Sequence, residues 1–382
     1  MSSEFHPIHI AAKSPLSCSI SRRQFVAVAG AAGLGLVAPN RRATATAQSG
    51  EIAQRLDAAV RAYAERDEFA GAVLVTRGGE PLLRTAYEPA NRTTDEPNTP
   101  ETGYQIASLT KAFTALACVQ LQEAGELSLD DPITRFLPEV THAERDGVAI
   151  TIRHLLAHTA GVPDFIGFYD VENPLTYPRT FDQLLGDILE RELEFTPGSQ
   201  YAYSNSGYIY AGLIIERASG QTYEAYLREH ILDPAGMADT FIVDAPEPAP
   251  PLATGYADFN GQLFPVSNFG RVDLVWSAGG LTSTLDDLLR WHETLLTETL
   301  APRAAIEAMY QPTPVTPEYG LGWEITDVGG HHSIGHEGHT IGYDAKLDRF
   351  IANDVVIVLL CNRQIAPVRE ISTELAAIVF GV

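Results

Sequence analysis

Strand-like segments stand at both ends of this chain and helix-like segments fill its middle. That order constrains the fold more than any other feature. A helix over 51–66 leads into a hairpin: Gly71–Thr76, the turn Arg77-Gly78-Gly79-Glu80, then Pro81–Tyr87. Strands return only near the far end, at Gly342–Leu347 and Asn353–Cys361, before a last helix over Pro367–Phe380. Between them the pattern is mostly helical. Thr180-x-x-Gln183 reads as a capping box, and Thr222 as the start of a helix over Tyr223–Ile231. Strands at both termini around a helical middle predict an antiparallel sheet closed by the two ends. The fold class is α/β (α+β): an antiparallel sheet flanked by helices, plus a mostly helical lobe.

Chemistry-bearing residues are sparse. Of 26 basic residues only three are lysines: Lys13, Lys111 and Lys346. Lys111 stands three residues after Ser108, in Ile106-Ala107-Ser108-Leu109-Thr110-Lys111. Leu109, Phe113, Leu116, Ala117 and Leu121 form an apolar stripe at helical spacing, and Gly125 marks a stop. Residues three apart share a helix face, so the Lys111 amine is expected close to the Ser108 hydroxyl. A serine hydroxyl is a poor nucleophile until a neighbouring base takes its proton, and a buried amine can be that base. The pair alone is equally consistent with a helix-capping serine and a solvated lysine.

Two further motifs follow in order. Tyr203-Ser204-Asn205 lies after the Pro197-Gly198 turn, and Gly335-His336-Glu337-Gly338-His339 precedes Gly342-Tyr343. An S-x-x-K, then Y-S-N, then H-x-G resembles the class C β-lactamase superfamily: class C β-lactamases, DD-peptidases, D-amino-acid amidases and family VIII esterases. The resemblance runs over roughly residues 51 to 382 and includes Phe69–Val75, Thr151–Pro163, Phe195–Ser206 and Ser277–Leu288. One departure is Ala86-Tyr87-Glu88-Pro89-Ala90-Asn91, where many relatives carry a glycine-rich run.

The resemblance implies a β-lactamase/transpeptidase-like fold. Its α/β lobe would span about 51–107 and 310–382, its helical lobe about 108–309, with the site in the cleft between them. It implies Ser108 as the nucleophile, Lys111 as its proton acceptor and Tyr203 as the proton shuttle. Asn205 would hold the substrate through its carboxamide. Backbone N–H groups of Ser108 and of His339, just after the H-x-G of His336 and Gly338, would bind the oxyanion. Whether Lys111 or Tyr203 is the base stays open at this level. Class C β-lactamases carry lysine where this chain has His336. A histidine at its reference pKa of about 6.5 is only partly charged near neutrality, so weaker or more pH-dependent recognition of a substrate carboxylate is expected.

His331, His332, His336 and His339 fall close together and invite a metal reading. Strand alternation would set His336 and Gly338 opposite Glu337 and His339, which argues against a shared ion. His154 and His158 lack the glutamate of a zinc-protease helix and read as structural. No metal or cofactor is expected.

Export signals precede the catalytic segment. Ser21-Arg22-Arg23-Gln24-Phe25, the mildly apolar stretch Val26–Ala38 and Ala45-Thr46-Ala47 resemble a twin-arginine signal over 1–47 with a small-residue cleavage site. The apolar stretch is too short for a permanent membrane anchor. Loss of that segment removes five basic residues and one acid, taking the net charge from −23 to about −27. Such a balance argues against nucleic acid and anionic membranes as partners and leaves a small-molecule or peptide substrate. Cys118 and Cys361 read as buried thiols. The expected function is an exported serine hydrolase of amide, peptide or ester bonds. The competing readings are a β-lactamase, a binding protein that kept the fold without turnover, and a metal hydrolase. The loops Asp164–Pro178 and Asp244–Asn268 are expected to shape the pocket.

Overall fold

Gly71 lies opposite Cys361, and the antiparallel register continues to Arg77 opposite Val355. The two ends of the chain therefore meet in one ladder, as the strand order predicted. The computed structural model describes residues 41–168, 180–242, 249–266 and 272–382. Its contacts divide the chain between Thr44 and Ala45, and the fold described is that of Ala45–Val382. Six strands build the main sheet: β1 (Gly71–Arg77), β2 (Glu80–Tyr87), β3 (Glu324–Val328), β4 (His331–Thr340), β5 (Tyr343–Phe350) and β6 (Val355–Cys361). Their order is β3-β4-β5-β6-β1-β2, and every neighbouring pair is antiparallel.

Alternation along the central strands explains why both faces are covered. Val73, Val75, Ile357, Leu359 and Cys361 point to one face. There they meet Leu56 and Val60 of α1 (Arg41–Glu65), and Ile371, Leu375 and Val379 of the C-terminal helix Val368–Phe380. Ala72, Leu74, Val356, Val358 and Leu360 point the other way. They join Phe113 and Leu116 of α2 (Thr110–Glu123), Ile209 and Ile214 of α3 (Asn205–Ser219), and Leu288 and Trp291 of α4 (Leu285–Leu295). Burying each such side chain contributes about 1.5–3 kcal/mol, so the sheet is held from both sides. The helix Val368–Phe380 is α5 below.

Several elements differ from the sequence reading. α1 begins at Arg41, ahead of the expected start at 51, and so runs through Ala45-Thr46-Ala47. The twin-arginine run and the stretch Val26–Ala38 lie outside the described residues. β6 begins at Val355, because Asn353 closes a short 3-10 turn and Asp354 takes a left-handed φ of 51°. β3 was not read at all: it is a five-residue edge strand with two acids and half-buried side chains. Of the two expected pocket loops, 169–178, 244–248 and 267–268 are outside the described residues. Among the described residues no helix is long and apolar enough to cross a membrane.

Cys118 packs in the core on the helical side of the sheet, and Cys361 in the core under α1 and α5. Both are free and buried, and burial pushes each thiol up to about 12. A thiol reagent at pH 8 is therefore expected to label neither until the protein is unfolded, and a reductant to leave Tm unchanged. Rapid labelling of Cys118 or Cys361 in the native protein would contradict this packing.

Candidate active site

Ile106 donates its N–H to Leu281 O at 2.9 Å, and the chain then turns sharply. Ala107 takes a φ of 45°, a left-handed conformation that strains an alanine. The 3-10 turn Ala107–Leu109 lifts Ser108 to the head of α2. Ser108 caps neither the turn nor α2, since both starts lack a side-chain cap hydrogen bond. Its Oγ has other partners. Lys111 Nζ lies 3.1 Å away, one helical turn along, and the Tyr203 hydroxyl donates to it at 2.8 Å.

Lys111 is fully buried, not a solvated side chain. Nζ also donates to Asn205 Oδ1 at 2.7 Å and to Ala278 O at 2.6 Å. Burial pushes its pKa down to about 7, against an opposing pull from Asp164. Asn205 is the first residue of α3, whose start is capped by Ser204. Its Nδ2 donates to both oxygens of Asp164 at 3.1 and 3.2 Å, and its backbone N–H to Oδ1 at 3.1 Å. The Asp164 clamp fixes the carboxamide so that its oxygen must face the lysine.

Tyr203 is held from behind. The His158 ring lies 4.2 Å from the Tyr203 ring, and Lys111 Nζ sits 4.8 Å from that ring's centre. Burial pushes the Tyr203 phenol well above its ordinary value, only partly offset by its bond to Ser108. His158 Nδ1 accepts from Ser204 N–H at 3.1 Å, and its backbone O from Ala202 N–H at 2.9 Å. The Y-S-N turn is thus clipped to His158 at two points.

The third motif lies on β4. Pairing with β3 ends at Gly335, so residues 336–340 have β5 as their one strand neighbour and leave an edge towards the Ser108 turn. Gly338 permits the approach: a Cβ there would stand 2.2 Å from Ile106 O. His339 follows it on this edge. Its side chain lies on the other face, bonded to Asp344 Oδ1 at 2.6 Å and Glu337 Oε2 at 3.2 Å. Those carboxylates raise it to about 10. His336 is buried and contacts Tyr319 and the Glu337 carbonyl oxygen. Burial pushes it down to about 4 although Glu324 pulls the other way. That direction disfavours the partly charged ring expected from the reference value. A reference pKa describes a solvated imidazole, and this one is not solvated.

The structure thus links Ser108, Lys111, Tyr203 and Asn205 in one hydrogen-bonded cluster, with Gly338 against the turn that carries Ser108. The histidine run does not converge on an ion. His331 stacks on Phe380, His332 faces Asp327, and His336 and His339 lie on opposite faces of β4. Among the described residues no group of three His, Cys, Asp or Glu is arranged to hold a metal. Sequence reasoning missed three residues. Asp164 appeared only as the edge of a loop, His158 only as half of a histidine pair, and Tyr319 not at all. They sit outside the helices and the sheet strands, where no periodicity marks a side chain's direction.

Beside Tyr319 lies a cavity of about 270 Å³ that Tyr201, Thr316, Glu318, Glu324 and Arg369 also line. Known proteins share this chain's sequence and fold over most of its length. Penicillin-binding protein 4* of Bacillus subtilis (strain 168) is 30% identical over 319 residues, covering 78% of this chain and 69% of that protein. Esterase EstB of Burkholderia gladioli is 36% identical over 229 residues, covering 56% of this chain and 57% of the esterase. The crystal structure of a D-stereospecific amidohydrolase from Streptomyces sp. superposes with a TM-score of 0.69 at 26% identity, covering 87% of this chain and 98% of the other. The family pattern described as Beta-lactamase matches residues 56–379, and the chain belongs to that family, within the serine β-lactamase and penicillin-binding superfamily.

Proposed function

We propose that this chain is an exported serine hydrolase that opens amide or ester bonds through an acyl-enzyme on Ser108. One observation carries the reading: Ser108 Oγ is held between an amine and a phenol that burial drives in opposite directions. A neutral amine has two protons and one lone pair. Asn205 Oδ1 and Ala278 O are acceptors only in this arrangement, so they take both protons. The lone pair is left for the Ser108 proton, and Lys111 is the base. Tyr203 keeps its proton and is the acid. The Ser108 proton passes to Lys111 as Oγ bonds the carbonyl carbon, with the oxyanion taken by the backbone N–H groups of Ser108 and His339. Collapse breaks the bond to the leaving amine or alcohol, which Tyr203 protonates, and the proton on Lys111 restores Tyr203. Water then releases the acid by the same steps.

The relatives named as an esterase and a D-stereospecific amidohydrolase support amide and ester substrates. The arginine pair and small-residue site in the N-terminal segment support export. Incubation with an aryl ester and, separately, with a penicillin should add the acyl mass to a peptide containing Ser108. Ser108→Ala should show neither adduct nor turnover. Undiminished turnover by Ser108→Ala would overturn the reading.

A further inference from the structure

We infer that His336 is a neutral strut, so that this centre prefers substrates uncharged beside the third motif over those that place a free carboxylate there. The inference rests on the acyl-enzyme reading above and goes on to substrate charge. It follows from a chain of hydrogen bonds in which each link fixes the next. Ser204 N–H donates to His158 Nδ1 at 3.1 Å, so that nitrogen is bare and the proton of His158 is on Nε2. Nε2 lies 3.2 Å from the Tyr319 hydroxyl, which must accept. The Tyr319 proton then goes to His336 Nε2 at 2.9 Å. His336 Nδ1 faces the Glu337 carbonyl oxygen, which can only accept, so Nδ1 carries the ring's proton. Both ring nitrogens are spent inside the protein, and the residue is 2% exposed.

The surroundings oppose a second proton on that ring. It would set an Nε2–H against a Tyr319 oxygen that already receives His158, and the Tyr319 proton would have to turn away from His336 towards the neighbouring Tyr208 hydroxyl. Lys111 lies on the Ser108 side and Lys346 on β5, and both oppose positive charge. Glu324 Oε1 is 3.6 Å from Nδ1 and favours it, but Lys346 and Arg369 already engage the other Glu324 oxygen at 3.3 and 3.5 Å. The Tyr203 ring closes the remaining side, 6.4 Å from the imidazole. A substrate carboxylate laid against β4 thus meets no N–H and no charge on His336. Tyr319 and His158 become positioning residues, tying the turn that carries Tyr203 to the strand that carries Gly338.

The test has two arms. An N-acetylated D-dipeptide with a free C-terminal carboxylate is compared at pH 7 with the same dipeptide capped as its C-terminal amide. The capped form should have the higher kcat/KM by at least about 10-fold, and His336→Lys should shift the preference towards the free acid. Equal or better cleavage of the free acid by the wild type overturns the inference. If that happens while an aryl ester still acylates Ser108, the hydrolase reading survives alone. In the second arm, nitrogen NMR of labelled histidines reads the ring directly, with His336 assigned by its loss in His336→Gln. An Nδ1–H tautomer that does not titrate from pH 5 to 8 supports the strut, and a midpoint inside that window overturns it. This arm decides even if neither dipeptide is turned over. Tyr319→Phe removes the donor to Nε2. It should lower kcat about 10-fold with little change in KM and move the His336 midpoint upward; an unmoved midpoint overturns the relay.

Discussion

Lys111→Met is expected to slow acylation by about 10³–10⁴-fold, the loss of a positioned general base. The amine has no substitute nearby. Tyr203 is the other group on Ser108 Oγ, and burial holds its proton more tightly than an ordinary phenol does. Lys111→Arg should be as damaging, because a guanidinium cannot shed its proton in a protein. In the wild type, kcat/KM for an uncharged aryl ester should fall as pH drops below about 7, where Lys111 takes up a proton. The same shift has a thermodynamic sign. The folded value lies below that of a free amine, so the unfolded chain binds more protons here between about 7 and 10.5. This group therefore costs nothing above that window, and its cost grows as pH falls through it to a full value below 7. Urea titrations across the window should show a shallower slope of stability against pH in Lys111→Met than in the wild type. Two results would refute the assignment: retained acylation in the variant, or a pH profile unchanged by it.

Gly338→Ala should reduce kcat by at least about 100-fold and destabilise the fold by about 1–3 kcal/mol. The added methyl would stand 2.2 Å from Ile106 O and 3.2 Å from Ala107 Cβ. The nearer obstacle is backbone, on a turn already strained at Ala107, so it cannot swing aside as a side chain would. β4 must retreat from Ser108 and take its edge with it. Aryl-ester kinetics and urea melts on the variant read the two consequences separately. Wild-type kcat in a folded variant would show that the approach of β4 to this turn does not set the reaction geometry.

What the sequence revealed tracks how local the information is. The Ser108–Lys111 pair was legible because three residues on a helix fix a distance whatever the rest of the chain does. The closed sheet was legible because strands at the two ends need partners. The roles of Tyr203 and Asn205 came through the resemblance, since nothing in Tyr203-Ser204-Asn205 says what it will face. Asp164, His158 and Tyr319 stayed hidden because their importance lies in contacts between irregular segments far apart in the chain. The burial of His336 was hidden for a related reason: a residue's type supplies a reference pKa, and only the surrounding fold says whether water reaches it. β3 escaped because its side chains, half-buried on a sheet edge, carry no strong alternation.

The ladder between β1 and β6 also sets an order of events in time. In a chain made from its N-terminus, β1 is complete long before its partner exists, so its hairpin with β2 must wait with one edge open. Pairings so distant in sequence make for slow folding, because the intervening chain must be ordered before the contact rewards it. Ser108, Lys111, Tyr203 and Asn205 can all be synthesised and packed while β4, β5 and β6 are still absent. Ser108 can therefore meet Lys111 before it meets the strand that Gly338 brings against it. Activity in this architecture arrives late, at the step when the last strands seal the sheet.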